Sequence, residues 1–381
     1  MLILVVKKIY TLQILVLFTL ISFYNNSKAN TSTFYVGTTK GGGIFYSNLN
    51  TQTGELSSFK LAATLNRPSF IALDTKKNFL FSTDLYSWKN PGEVISFKIQ
   101  KNFKLKEINR VSSMGINPCH ISLNPKKNIL LVSNYNGPIS VTSHSISTNG
   151  LLSNAISFRE HFGNGVHSER QKKPHAHSIF SHPFYPFVYA ADLGAEAIFI
   201  YKLEQITGEL SFIKKEILNG QSMGPRHMKW DKKGKFLYVL NELTPSISIF
   251  KYISNGYIKE VKKVNALPKH IDKNGLTAAE IRIHPFKPII YTSIRDLNDE
   301  GRNFISIFKA SGSSSHLIKT ISAEVEFPRN FNIDPSGNWM LVAGQRSKNI
   351  AVLPINQNGI PEDKNILYEF PGEPVCIEFL D

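Results

Sequence analysis

The chain has 381 residues, 42% of them hydrophobic and 19% charged, which excludes a disordered chain and fits one large globular domain or two ordinary ones. Its formal net charge of +15 favours anionic ligands, but the lysines are scattered through turn-like segments without a basic helix or nucleic-acid motif, so nucleic-acid binding is excluded. Cys119 and Cys376 form neither a CxxC nor a Cys/His zinc pattern; their apolar flanks suit buried thiols, with a disulfide as the alternative in an exported protein.

The first element is a leader, residues 1–29. Lys7 and Lys8 precede the apolar run "IYTLQILVLFTLISF", and Ser27 and Ala29 occupy the small-residue positions of a cleavage site. This order predicts a secretory signal peptide cleaved after Ala29, and hence a periplasmic or secreted protein that meets the membrane only through its leader. An uncleaved anchor is the alternative, although a run of 15 residues is short for a full span. No cysteine lies near the segment, which excludes a lipoprotein anchor. The leader carries three lysines and no acid, so the remainder keeps 15 − 3 = +12.

From residue 30 to residue 381 the chain repeats itself. In order come "RPSFIALDTKKNFLFSTD" from Arg67, "PCHISLNPKKNILLVSNY" from Pro118 and "PHAHSIFSHPFYPFVYAAD" from Pro174. They are followed by "GPRHMKWDKKGKFLYVLNE" from Gly224, "AEIRIHPFKPIIYTSIRD" from Ala279 and "PRNFNIDPSGNWMLVAGQ" from Pro328. Each reads as a strand, a turn and a second strand, with two further strands before the next copy. The apolar alternation has period two, turn residues recur every ~10 residues, and no amphipathic helix stands out. Four strands per unit at a period near fifty predict an all-β fold, a β-propeller of four-stranded antiparallel blades.

First strands start near residues 68, 118, 175, 226, 280, 328 and 374, and second strands near 33, 78, 128, 187, 235, 288 and 338. Both series number seven. "TFYVGTTK" has no first strand before it and "PVCIEFL" has no second strand after it, so the two chain ends are expected to share a blade and close the ring.

Several stretches together resemble one family. They are "FYVGTTKGGGIFYSNLNTQTGEL", "NPCHISLNPKKNILLVSNYNG", "RQKKPHAHS", "AADLGAEAIFIYKL", "GPRHMKWDKKGKFLYVLNEL", "TAAEIRIHP" and "FPRNFNIDPSGNWMLVAGQ". The chain resembles the seven-bladed propeller lactonases, which include propeller-type 6-phosphogluconolactonases and carboxymuconate cyclases. The resemblance implies an active site at one mouth of the central channel. It implies site groups at His175 or His177, Arg226, Glu242 and Arg282; no cofactor or metal is expected. Such a set suits a small anionic lactone or a related diacid as ligand.

The residue types suit that chemistry. Two arginines clamp an anion and steady an oxyanion. A histidine moves a proton near neutrality, and a glutamate activates water or orients the histidine. Strand alternation puts His175 and His177 on one face. His120, His227 and Glu280 are secondary candidates, with structural roles favoured, and His182 reads as a turn residue. The HxH pair offers two metal ligands, but no third has a diagnostic spacing, which ranks a metal site lower. "GQSMG" (Gly220–Gly224) fits the G-x-S-x-G pattern, but no strand–turn–helix elbow surrounds Ser222. The leading expectation is a lactonase acting on an anionic, sugar-acid type lactone. The alternatives are a carboxymuconate-type cycloisomerase and a non-catalytic propeller that serves as a binding module.

Overall fold

The computed structural model describes residues 30–124 and 128–380. The proposed leader and its cleavage site lie outside the described residues. Strands account for every regular element among the described residues except one short 3-10 turn, Gly312–Ser314. They form seven antiparallel sheets of four strands each. The innermost strands of successive sheets pack against one another around a ring, so the molecule is a seven-bladed β-propeller. Blades are numbered here by their innermost strands in chain order. These are Ile71–Asp74, Ile116–Asn124, Ala176–Ser181, Pro225–Trp230, Leu276–Ile283, Pro328–Ile333 and Pro374–Phe379.

Blade 7 joins the two chain ends, as the strand count predicts. Pro374–Phe379 lies antiparallel to Thr31–Thr38, with Phe34 opposite Phe379 and Val36 opposite Ile377. Alternation then serves both neighbours of this blade. Phe34, Val36 and Ile377 pack with Leu341 and Val352 of blade 6, whereas Tyr35 and Cys376 pack with Ile71 and Phe81 of blade 1. Tyrosines tie other blades together. The Tyr189 hydroxyl donates to the Gly256 carbonyl at 2.9 Å, and that of Tyr291 donates to Gly359 at 2.7 Å. Gly256 and Gly359 have φ of 86° and 79°, a conformation that favours glycine in these tight turns.

One backbone irregularity positions the site. In blade 2, Pro118 pairs with Asn134 but His120 pairs with Ser133, so Cys119 is an extra residue bulging out of the ladder. The same shift places His177 in the bulge of blade 3, Arg226 in blade 4, Arg329 in blade 6 and Val375 in blade 7. Blade 5 has its extra residue at Ala279 and Glu280. A bulge re-aims a side chain that regular pleating would send between blades. Repeated around the ring, it turns one layer of side chains toward the channel mouth.

This bulge corrects the expectation that His175 and His177 share a face. The strand begins only at Ala176, and its register shifts across His177. His177 turns to the channel. The ring of His175 instead lies flat on Tyr135, at 4.5 Å and 17°, and its Nδ1–H donates to the Tyr135 carbonyl at 2.8 Å.

Candidate active site at the channel mouth

The mouth holds a cavity of about 300 Å³, at the lower end of the size range of small-molecule sites. Its charged lining consists of Arg67, Arg170, Arg295, Arg329 and one carboxylate, Glu242. Cys119, Tyr135 and His177 complete the side nearest Arg170. Arg226 lies just beneath, lining a smaller void with Cys119 and Arg329.

Glu242 follows the strand Phe236–Asn241 and is fixed by its backbone: its N–H donates to Gly224 and its carbonyl accepts from Ala278. The carboxylate is buried among guanidinium groups. Arg170 Nη2 donates to Oε1 at 2.8 Å, Arg226 Nε donates to Oε2 at 2.8 Å, and Arg295 Nη2 lies 3.3 Å from Oε1. Burial alone would raise the carboxyl pKa. The charges of Arg295, Arg226 and Arg170 outweigh it and hold Glu242 well below the usual range, so it stays ionised.

The arginines are in turn under-compensated. Burial pushes Arg295 down to about 9 against the pull of Glu242, and its Nε has no hydrogen-bond partner. Burial and then the charge of Arg226 push Arg329 down to about 10. One carboxylate among five arginines leaves the mouth strongly positive. Such a surplus in a partly desolvated cavity attracts and orients an anion.

His177 Nε2 is 3.9 Å from Glu242 Oε2. Burial, followed by the charges of Arg226 and its neighbours, depresses the imidazole pKa well below its model-peptide value of 6.5. His177 is therefore neutral at neutral pH and available as a base. The Cys119 thiol is 3.9 Å from His177 Nδ1, and burial raises its pKa to about 12, so it is no thiolate nucleophile. Both cysteines are free.

The structure thus brings His177, Arg226 and Glu242 together and separates the other two expected residues. His175 braces Tyr135, and its backbone N–H donates to Asp192 at 2.7 Å. Arg282 does not line the cavity. It lies three residues further along its strand than the bulge layer, where Nη2 meets Glu378 at 2.8 Å and Glu280 at 3.5 Å. Glu280 also meets His227 Nδ1 at 3.1 Å, and His227 stacks edge-on to His120. These secondary candidates form a buried polar layer across the channel below the site. Arg295 therefore takes the place expected of Arg282 beside Arg226. His182 caps the turn after its strand, its Nδ1 accepting from Phe184 and Tyr185. Ser222 sits in a loop with φ 52°, outside the cavity. Among the described residues, no three His, Cys, Asp or Glu side chains gather closely enough to hold a metal ion.

Arg295, Arg329, Arg170, Arg67, Tyr135 and Cys119 went unread in the sequence. For some of them a signal existed. Tyr135, Glu242 and Arg295 occupy one slot of the repeat, each seventeen residues after Pro118, Pro225 and Ala278. Arg329 follows Pro328 as Arg226 follows Pro225. Arg170 lies in the segment before blade 3, outside the repeat, and only the fold brings it to Glu242.

A family model described as lactonase, 7-bladed beta-propeller, matches residues 33–379. The chain belongs to the seven-bladed β-propeller lactonase family. The 6-phosphogluconolactonase of Bacillus subtilis (strain 168) is 30% identical over 363 residues, 91% of this chain and 97% of that protein. A 6-phosphogluconolactonase of Formosa agariphila is 31% identical over 318 residues, 82% of this chain and 88% of that protein. The solved structure of a Pseudomonas aeruginosa periplasmic gluconolactonase superimposes with a TM-score of 0.83 at 24% identity, over 92% of this chain and 99% of that one, and shares the fold. The function class that accompanies this family membership is that of a lactone hydrolase.

Proposed function

We propose that the protein hydrolyses an anionic, sugar-acid type lactone at the mouth built from His177, Glu242, Arg226 and Arg295. The observation that carries this reading is the buried Glu242 carboxylate held by three arginines next to a neutral imidazole. The names of the two curated relatives support a lactone of the phosphogluconate type.

In this reading the ring carbonyl lies against Arg295, with Arg226 just beneath, and the charge of the two exceeds what Glu242 neutralises. Water attacks the carbonyl carbon, and His177 takes its proton as the new C–O bond forms. The tetrahedral oxyanion is stabilised by the two guanidinium groups, which are already in place and need no reorganisation. Collapse breaks the ring C–O bond, and the imidazolium returns the proton to the departing alkoxide, giving the open-chain hydroxy acid. Glu242 holds the arginines in position and favours the transient imidazolium. Export is proposed from the leader alone.

The pH dependence follows from these groups. His177 gains its proton only well below 6.5, so the base form persists as the solution becomes mildly acidic. We expect kcat/KM, corrected for spontaneous hydrolysis, to stay level between about pH 6 and about pH 8. A half-maximal point near 6.5 on the acid side would contradict the buried, neutral His177.

The test of function is a panel of lactones and muconates incubated with the protein. Saturable acid release from a sugar-acid lactone supports the proposal. Turnover of a muconate alone would make the protein a cycloisomerase, and turnover of neither would leave a binding module.

A further inference from the structure

Tyr135 lies at the end of the second strand of blade 2, Ile129–Asn136, in the stretch "SNYNG". It holds the repeat slot of Glu242 and Arg295, and its side chain lines the same cavity. Two imidazoles fix the ring: His175 lies flat on it at 4.5 Å, and His177 meets it edge-on at 5.4 Å and 80°. Arg170 fixes the hydroxyl. Its Nη2 donates to Tyr135 Oη at 2.9 Å and to Glu242 Oε1 at 2.8 Å, which uses both protons of that nitrogen. Arg295 Nη2 lies 3.3 Å from the same Glu242 oxygen. Tyr135 and Arg295 are thus linked through Glu242 along one wall of the cavity.

The direction of the hydroxyl proton follows. Because Arg170 donates to the phenol oxygen, the proton turns away from the guanidinium, and among the described residues no acceptor receives it. Burial, and then the charge of Glu242, raise the phenol pKa, so the group keeps its proton. A half-buried donor with its oxygen satisfied and its proton unclaimed is matched by an acceptor on a ligand.

We propose that Tyr135 is a catalytic residue whose hydroxyl donates a hydrogen bond to the carbonyl oxygen of the lactone, sharing the oxyanion with Arg295. This rests on the lactonase reading of the site and deepens it. The bond strengthens as that oxygen gains negative charge, so it favours the tetrahedral transition state over the bound lactone. No proton leaves the phenol; His177 takes the proton of water, as above. His175 stays out of the chemistry and holds the ring that delivers the donor.

Kinetics and binding of Tyr135→Phe test the donor. Phenylalanine keeps the ring against His175 and His177 and removes only the hydroxyl. The Arg170 side chain is 35% exposed, so water takes over its freed N–H and the melting curve should stay that of wild type. With glucono-1,5-lactone or its 6-phosphate as substrate, kcat should fall by about a hundredfold while KM changes by less than about threefold. The cyclic phosphonate analogue of gluconolactone carries a charged, tetrahedral P–O group where the oxyanion forms, and its affinity, measured by calorimetry, should fall by a similar factor. An unchanged kcat, a loss expressed in KM alone, or equal phosphonate binding by the two proteins overturns the proposal. If wild type hydrolyses neither lactone, the lactonase reading fails and the phosphonate decides the donor alone. Tighter binding by wild type than by Tyr135→Phe then upholds it, and no difference, or no binding, overturns it.

Discussion

Glu242→Gln should lower kcat/KM for the lactone substrate by about a thousandfold or more and should also lower the melting temperature. The substitution keeps the shape and one acceptor oxygen; what it removes is the charge. Arg170, Arg226 and Arg295 would then surround a neutral amide within a buried site. Removing one partner of a buried ion pair costs about 3–5 kcal/mol, because the remaining charge stays desolvated. Arg295, already pushed down to about 9, would lose its main source of support, and the oxyanion would lose the ordered donors that receive it. Both readouts matter, since Glu242 serves the fold and the reaction through the same contacts. Lactonase kinetics and thermal unfolding of the variant check the expectation; a melting temperature equal to that of wild type would mean that Glu242 does not neutralise the cluster.

Deleting the chain from Pro374 onward should abolish cooperative folding. The deleted strand pairs with Thr31–Thr38 and buries Val375, Cys376, Ile377 and Phe379. Burying a large apolar side chain contributes about 1.5–3 kcal/mol, so losing several of them approaches the ~5–15 kcal/mol stability of a typical domain. The deletion also opens the ring and bares the edge of blade 7 to intermolecular pairing. The truncated protein should be recovered as aggregate, or should show no sharp thermal transition by circular dichroism. A soluble truncation with the melting temperature of the intact chain would show that the closure contributes little.

The fold was legible because each blade carries its own signals. Period-two alternation marks the strands, and turn residues recur between them, so seven copies could be counted without knowing any long-range contact. The unmatched ends announced the shared blade for the same reason. The site was only partly legible. Arg226 and Glu242 occupy repeat slots near the mouth, and His177 falls in the bulge of its strand. Alternation misplaced His175 because a bulge adds a residue that the pattern of polar and apolar side chains does not reveal. Arg282 was misplaced because residues on the innermost strands form successive layers across the channel, and only the uppermost layer meets the cavity. Arg295 and Arg329 could have been read by aligning the repeats slot by slot. Arg170 could not, since its contact with Glu242 spans blades and no local pattern encodes it.

If the cluster around His177 hydrolyses a lactone, removing the imidazole must remove the activity. The most direct test follows proton release from 6-phosphogluconolactone in a pH-stat, comparing wild type with His177→Asn at equal concentration. Wild type should accelerate release saturably, and the variant should lose about a hundredfold or more with its melting curve preserved. Wild type that adds nothing to the spontaneous rate, or a folded His177→Asn variant as active as wild type, would contradict it.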